Sequence, residues 1–376
     1  MEDTVNYSET SISPAALAGV QPEFDGKPRL DFRWEVLAPP TEEMWAAMRK
    51  ASASAGMASF HQDPTVHELN EFVAELTGHE RAMFLPTTTA CITLAWQALG
   101  ITGTQVIMEE RCHHYWVERL HFAATAGATA VLIRGDKFGA MSLDDIEAAV
   151  TRSYGGTVET GLISIENTHN FCGGTCLTAE YTNAVADLAR RYGIALFVDG
   201  ARIFNSAVAQ GVPIQALAGP ADAVAISLGK GLAAPMGAML CGSAELLAKA
   251  ELLARRTGVF SIHKAGIMAA AGLVGLRTML PRLADDHARA RRLAERLVQL
   301  DGIAVDLETV QTNFVRVETE ASRRTASDLA HRMSRHGLAV HVVAPYAFKM
   351  VPSYTTTDQE IEEAVAIVIA VLDEVA

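Results

Sequence analysis

Three residues at the ends of apolar runs could do chemistry together. Lys230 stands in ISLGKGLAAPMG, an ammonium group at the close of a strongly hydrophobic stretch and fenced by glycines. Asp199 closes another apolar run, IALFVDG, and Arg202 follows in the same segment, DGAR. A lysine so placed can supply the amine for a Schiff base, because burial and neighbouring cations favour the neutral form of such a group. An aspartate facing a pyridine nitrogen keeps that nitrogen protonated, and the ring can then accept electrons left at a substrate Cα. Further up the chain, PTTTACITLAWQAL puts Thr87, Thr88 and Thr89 where a strand gives way to a helix. That is where free N–H groups and hydroxyls receive a phosphate. The set meets the requirements of an enzyme that uses pyridoxal phosphate.

Taken singly, each residue has a plainer reading. A strand-end aspartate is more often a cap or turn former, threonines before a helix usually cap it, and a lone lysine between glycines is usually a solvated turn residue. Their order on successive strands is what favours chemistry.

The elements that must hold these residues are legible as apolar runs. Strands are expected at AMFLP (82–86), QVIME (105–109), TAVLIRG (129–135), GLISIEN (161–167), IALFVDG (194–200), AVAISLG (223–229) and GAMLCG (237–242). Amphipathic stretches such as SLDDIEAAVTRS and TAEYTNAVADLARRYG lie between them. Continuously apolar strands separated by helices indicate an α/β fold, a mainly parallel sheet covered on both faces. Ligands of such sheets sit beyond the carboxyl ends of the strands. The candidate site residues are therefore Thr87–Thr89, His113, the ENTHN segment 166–170, Asp199–Arg202 and Lys230. After about residue 265 the texture changes to two long helical stretches, short strands in TNFVRVETE, LAVHVVAP and FKMVPS, and a closing helix, DQEIEEAVAIVIAVLDEV. This reads as a smaller C-terminal α+β domain. The expected division is a flexible arm over 1–28, a large cofactor-binding domain over 29–265 and a small domain over 266–376.

Bulk properties narrow the class. The chain has 376 residues, 49% of them hydrophobic, and a formal net charge of −13, which argues against nucleic acid as a partner. Cys91, Cys112, Cys172, Cys176 and Cys241 are scattered and odd in number, so a reducing compartment is expected over a disulfide framework, with no metal site. The start, MEDTVNYSETSISP, lacks the charge and apolar pattern of a signal peptide, and no apolar run reaches membrane-spanning length. The expected location is the cytoplasm.

FVDGARIFNSAVAQGVP, ISIENTHNFCGG, ISLGKGLAAPMGAMLCG and KAGIMAAAGLVGL resemble signature segments of the threonine aldolases, and the likeness runs from about residue 29 to the C-terminus. These are fold-type I pyridoxal-phosphate enzymes of the aromatic-amino-acid β-eliminating lyase/threonine aldolase group. The resemblance implies a seven-stranded, mainly parallel sheet sandwiched by helices. It further implies that Lys230 forms the Schiff base, that Asp199 pairs with the pyridinium, and that Arg202 lies near the ring oxygen or the substrate carboxylate. His113, in EERCHHYWVE, falls where the family stacks a histidine on the ring, with His114 then pointing away. Read alone, His113 is a core histidine. Glu118 matches a glutamate that manages a proton through water, and His169 would organise hydrogen bonds. A homodimer or homotetramer is implied, with the N-terminal arm reaching a neighbour.

Departures from the family pattern fall on the substrate side. Trp34, in DFRWEV, replaces a serine that helps hold the substrate carboxylate, and Lys349, in AFKMVPS, replaces the arginine that grips it. Lysine is a point charge and arginine a two-pronged fork, so that exchange is not silent. Gly156 stands where a histidine near the β-hydroxyl is usual. Thr87, Thr88 and Thr89 replace Ser-Gly-Thr at the phosphate, and His263, beside Lys264, replaces the arginine lent across a dimer. The implied reaction is retro-aldol cleavage of a β-hydroxy-α-amino acid to glycine and an aldehyde, with an altered substrate preference. The base stays open between His113 and water held by Glu118. β-Elimination to ammonia and a keto acid is the second reading. A catalytically silent dimeric binding protein is the third, and it has no use for a Schiff-base lysine.

Overall fold

The computed structural model describes residues 28–54, 56, 63–152, 156–260 and 262–374. The arm expected over 1–28 lies, apart from Pro28, outside the described residues. The chain divides into two compact units, one spanning Val36–Ala284 and the other combining the segment up to Glu35 with the chain from Asp285.

The larger unit carries seven strands: β1 (Arg81–Leu85), β2 (Gln105–Glu109), β3 (Thr129–Ile133), β4 (Thr160–Glu166), β5 (Ala195–Asp199), β6 (Ala223–Ser227) and β7 (Ala238–Gly242). They form one sheet in the order β1-β7-β6-β5-β4-β2-β3. β7 runs antiparallel to both of its neighbours, and every other pairing is parallel. β2, β6 and β7 are buried along their whole length, and β4 and β5 over all but their first residues, which is why the strands appear as apolar runs without polar alternation. On one face Met108, Leu162, Phe197, Ala225 and Leu240 pack with Trp96, Phe122 and Leu247 from the helices Thr88–Leu99, His113–Ala126 and Ala244–Thr257. Alternate residues, including Ile107, Ile163, Val198, Val224 and Met239, are equally buried on the opposite face.

Helix ends are set locally. Asp63 caps the helix Pro64–Thr77 through the N–H groups of Thr65 and Val66. Its other oxygen accepts from Gly56 and from Gly266, at the head of the helix Gly266–Val274, both at 2.9 Å. That helix packs on Glu42–Ala51 and Pro64–Thr77.

In the second unit, three antiparallel strands lie in the order His341–Ala344, Ala347–Met350, Val315–Glu318. Leu30–Asp31 pairs in parallel with Leu338–Ala339. The helices Leu283–Leu297, Ala326–Arg335 and Asp358–Asp373 supply Leu293, Leu329 and Val365 to a core with Val315, Phe348 and Met350. No single helix among the described residues is long and apolar enough to cross a membrane. No disulfide joins any of the five cysteines.

Candidate active site at the carboxyl ends of the strands

Charged residues close three parallel strands: Glu109 ends β2, Glu166 ends β4 and Asp199 ends β5. Glu166 and Asp199 are register partners, and Asp199 pairs with Ala225 of β6, so Lys230 emerges just beyond the neighbouring strand. Tight packing shapes the lysine turn. A Cβ at Gly231 would fall 2.8 Å from Leu283 Cδ2 and 3.4 Å from Asn205 Oδ1. The Ala233 N–H closes the turn on the Lys230 carbonyl at 2.9 Å.

Asp199 is the most constrained of these groups. Its side chain is 4% exposed, Oδ1 accepts from the Ala201 N–H at 3.1 Å, and Oδ2 lies 3.0 Å from His114 Nε2. Burial alone would raise its pKa. The His114 imidazolium first, then the charges of Lys230 and His113, outweigh burial and hold the carboxyl well below its usual range. Lys230, half-buried, is thus within electrostatic reach of Asp199. Arg202, buried, starts the helix Ile203–Gln210 directly after Asp199.

His113 opens the helix His113–Ala126 with its backbone N–H bonded to Glu166 Oε2 at 2.8 Å. Its half-exposed ring lies near-parallel to Phe171, centroids 6.5 Å apart, and Nδ1 is 3.5 Å from Glu118 Oε2. Burial pushes the Glu118 carboxyl up, but His113, His114 and the Thr89 hydroxyl together pull it below its ordinary value.

The three threonines have separate duties. Thr87 caps the helix Thr88–Leu99 by accepting from the Ala90 N–H at 3.1 Å, and Thr89 donates to Glu118 Oε1 at 2.6 Å. The Ala90 and Cys91 N–H groups are taken by Thr87, so what the helix start can offer an anion is the N–H groups of Thr88 and Thr89.

His169 is fully buried behind this arrangement. Nε2 lies 3.0 Å from Glu109 Oε2 and 3.9 Å from Glu166 Oε2, while the Cys172 N–H donates to Nδ1 at 3.3 Å. Burial disfavours its charged form, yet Glu166 and Glu109 outweigh that and push the imidazole well above its ordinary pKa. The remaining valences of Glu109 go to Arg111 and to the Gly135 N–H. Donor atoms of Glu109, His169 and Cys172 lie within 4.8 Å of one another, but hydrogen bonds already engage the carboxylate and both ring nitrogens. The group is a closed ion-paired network.

In the other unit, Lys349 is buried, with Nζ 4.5 Å from the centroid of Phe314. The Trp34 ring lies 4.3 Å from that of His341. Burial, with Lys349 and Arg33 nearby, lowers the His341 pKa to about 3. His263 and Lys264 are exposed on the larger unit, and Gly156 sits at φ 74° in the loop before β4.

One expectation is corrected. His114 does not point away from the site: it turns inward, 2% exposed, onto Asp199. The sequence reading also passed over Glu109 as a network member and Ser164, whose hydroxyl is 3.2 Å from His114 Nδ1. Glu109 had a usable signal, a charge ending an apolar strand.

A sequence profile of the beta-eliminating lyase family matches residues 31–320. Low-specificity L-threonine aldolase 1 of Arabidopsis thaliana is 36% identical over 313 residues, which cover 82% of this chain and 87% of that one. The low specificity L-threonine aldolase of Escherichia coli K12 is 34% identical over 300 residues, covering 77% and 85%. Among solved structures, Leishmania major threonine aldolase superposes with a TM-score of 0.77 at 17% identity, covering 92% of this chain and 100% of that one. A putative aromatic amino acid beta-eliminating lyase/threonine aldolase from Exiguobacterium gives 0.74 at 18% identity, covering 92% and 98%. The shared architecture is fold-type I. By sequence and by fold, the chain belongs to the threonine aldolase branch of the beta-eliminating lyase family.

Proposed function

We propose that the enzyme is a pyridoxal-phosphate lyase that splits a β-hydroxy-α-amino acid between Cα and Cβ into glycine and an aldehyde. The observation that carries the reading is that Lys230 follows the end of β6 directly beside β5, which ends in the buried Asp199 carboxylate. The donor set fits the cofactor: an amine in a glycine-fenced turn, a carboxylate held ionised in the interior, and a helix start with free N–H groups for a phosphate. Lys230, Asp199 and the first turn of Thr88–Leu99 would hold it, with His113 against the ring.

When bound, pyridoxal phosphate supplies an electrophilic carbon for the substrate amine and an electron-accepting ring. Lys230 provides the amine that substrate displaces. Asp199 would keep a proton on the ring nitrogen, which would stabilise the electron pair that the broken Cα–Cβ bond leaves on Cα. His113, directly or through water held by Glu118, takes the β-hydroxyl proton. The Cα–Cβ bond breaks, the hydroxyl oxygen leaves as the aldehyde carbonyl, and Cα gains a proton to become glycine. Arg202 and Lys349 are proposed to bind the substrate carboxylate, and Trp34 to set which β-substituents are accepted. His263 is proposed to serve the phosphate of a second copy in a homodimer or homotetramer, and the cytoplasm is the proposed compartment.

The test is product analysis on a panel of β-hydroxy amino acids. Glycine with an aldehyde supports the reading. Ammonia with a keto acid replaces it with β-elimination, and no turnover of any member, with no cofactor uptake, leaves a binding protein.

A further inference from the structure

His114 and His113 are neighbours in sequence with divergent surroundings. Consecutive helix residues project about 100° apart, and here the step separates a half-exposed imidazole from a buried one. His114 is walled by aromatic rings, edge-on to Trp96 at 5.4 Å and tilted against Phe197 at 5.6 Å. Its nitrogens face two polar groups: Nδ1 is 3.2 Å from Ser164 Oγ on β4, and Nε2 is 3.0 Å from Asp199 Oδ2 on β5. The ring is hydrogen-bonded at Nδ1, meets Asp199 at Nε2 as an ion pair without hydrogen-bond geometry, and is packed between two aromatic side chains.

We propose that His114 is a positioning residue that fixes the charge and aim of the Asp199 carboxylate. The inference rests on the reading above only for the identity of the ring that Asp199 serves. An isolated carboxylate in this apolar surround would tend to protonate and would be free to rotate. His114 opposes both. Burial disfavours its own charged form, but Asp199, with Glu118 and Glu166 behind it, pushes the imidazole above its ordinary pKa. Lys230 and His113 also face Asp199, and the buried thiols of Cys91 and Cys112 lie near it. Asp199 thus favours the charged imidazole, and a ring nitrogen presented to Asp199 meets a carboxylate already in contact with a second basic group 3.0 Å away.

Two variants separate positioning from packing. His114→Phe keeps the ring's bulk and removes both nitrogens; His114→Gln loses the ring but keeps a neutral N–H donor. Positioning predicts that the Phe variant binds pyridoxal phosphate about tenfold more weakly, from loss of one charge-assisted contact, and that Gln recovers most of it. The cofactor's visible band should also shift its pH midpoint in Phe more than in Gln. Better binding by Phe than by Gln would mean that His114 only fills space, and would overturn the proposal. A second arm needs neither cofactor nor mutant folding: in ¹⁵N-histidine-labelled wild type, both His114 nitrogens should stay protonated above the ordinary histidine pKa. Titration at or below that value overturns the proposal too. If the wild type takes up no pyridoxal phosphate, the proposed function falls while this arm still decides the role of His114.

Discussion

The Thr89 hydroxyl donates to Glu118 Oε1 across 2.6 Å, tying the head of the helix Thr88–Leu99 to the first turns of His113–Ala126. The Thr89 hydroxyl is thereby committed to the carboxylate that contacts His113. Thr89→Val should cost roughly 1.5–3 kcal/mol of stability, because it strands a charged acceptor, and Thr89→Ser should restore it. Urea denaturation at pH 7 reads this directly.

Glu118 is the partner of His113 Nδ1 at 3.5 Å. Glu118→Gln keeps the shape and removes the charge, so kcat should fall by roughly 10²-fold, the scale of losing one proton-transfer partner. KM and cofactor affinity should hardly change. Steady-state kinetics separate the two; a change in KM alone would assign Glu118 to binding.

The buried His169–Glu109 pair predicts a stability window. Burial and the Cys172 N–H, which needs a bare Nδ1, oppose charging of His169, but Glu166 and Glu109 raise its folded pKa; the contribution is complete below about pH 6.5 and is lost as pH rises through the folded value. Glu109 is depressed although burial opposes it, His169 and Arg111 being the cause; its contribution is present above its ordinary pKa and lost as pH falls through the folded one. His169→Gln should destabilise by roughly 1–3 kcal/mol at neutral pH, because Glu109 keeps Arg111 and the Gly135 N–H and loses one buried partner. It should also flatten the alkaline limb of the stability–pH curve.

Asp63 collects N–H donors from Gly56, Thr65, Val66 and Gly266. A Cβ at Gly266 would fall 2.1 Å from Asp63 Oδ1. Gly266→Ala must therefore displace the carboxylate, and Asp63→Ala must orphan its donors; each should lower stability by roughly 2–4 kcal/mol. The double variant should cost much less than the sum.

Lys349 and Trp34 are proposed to bear on substrate choice. Lys349→Met should raise KM for the amino acid at least about tenfold, the worth of one charge-assisted contact, with cofactor uptake unchanged. Trp34→Ser should move preference towards small β-substituents. An unchanged substrate profile in both would remove these two residues from the account.

Much of the fold was legible because the sheet is buried on both faces: β2, β6 and β7 are apolar at every interior position, so runs such as QVIME and AVAIS announced themselves. The ends of those runs marked Asp199 and Lys230 for the same reason, a charge where an apolar strand stops. Contacts between distant segments left no such mark. Nothing local says which of two adjacent histidines turns inward, since the answer depends on Ser164 and Asp199 on separate strands. The bond from Thr89 to Glu118 left no local mark, because Glu118 lies a whole element away. The pairing of Leu30–Asp31 with Leu338–Ala339 is too short for any periodicity to signal.

The most direct test of the account is chemical trapping at position 230. Incubating the protein with pyridoxal phosphate, reducing with borohydride and mapping the peptides should place one pyridoxyl group on Lys230. Lys230→Ala should take up none and lose the visible band. A stable adduct on another lysine, or a Lys230→Ala protein that keeps both the band and its turnover, would contradict the assignment of that amine.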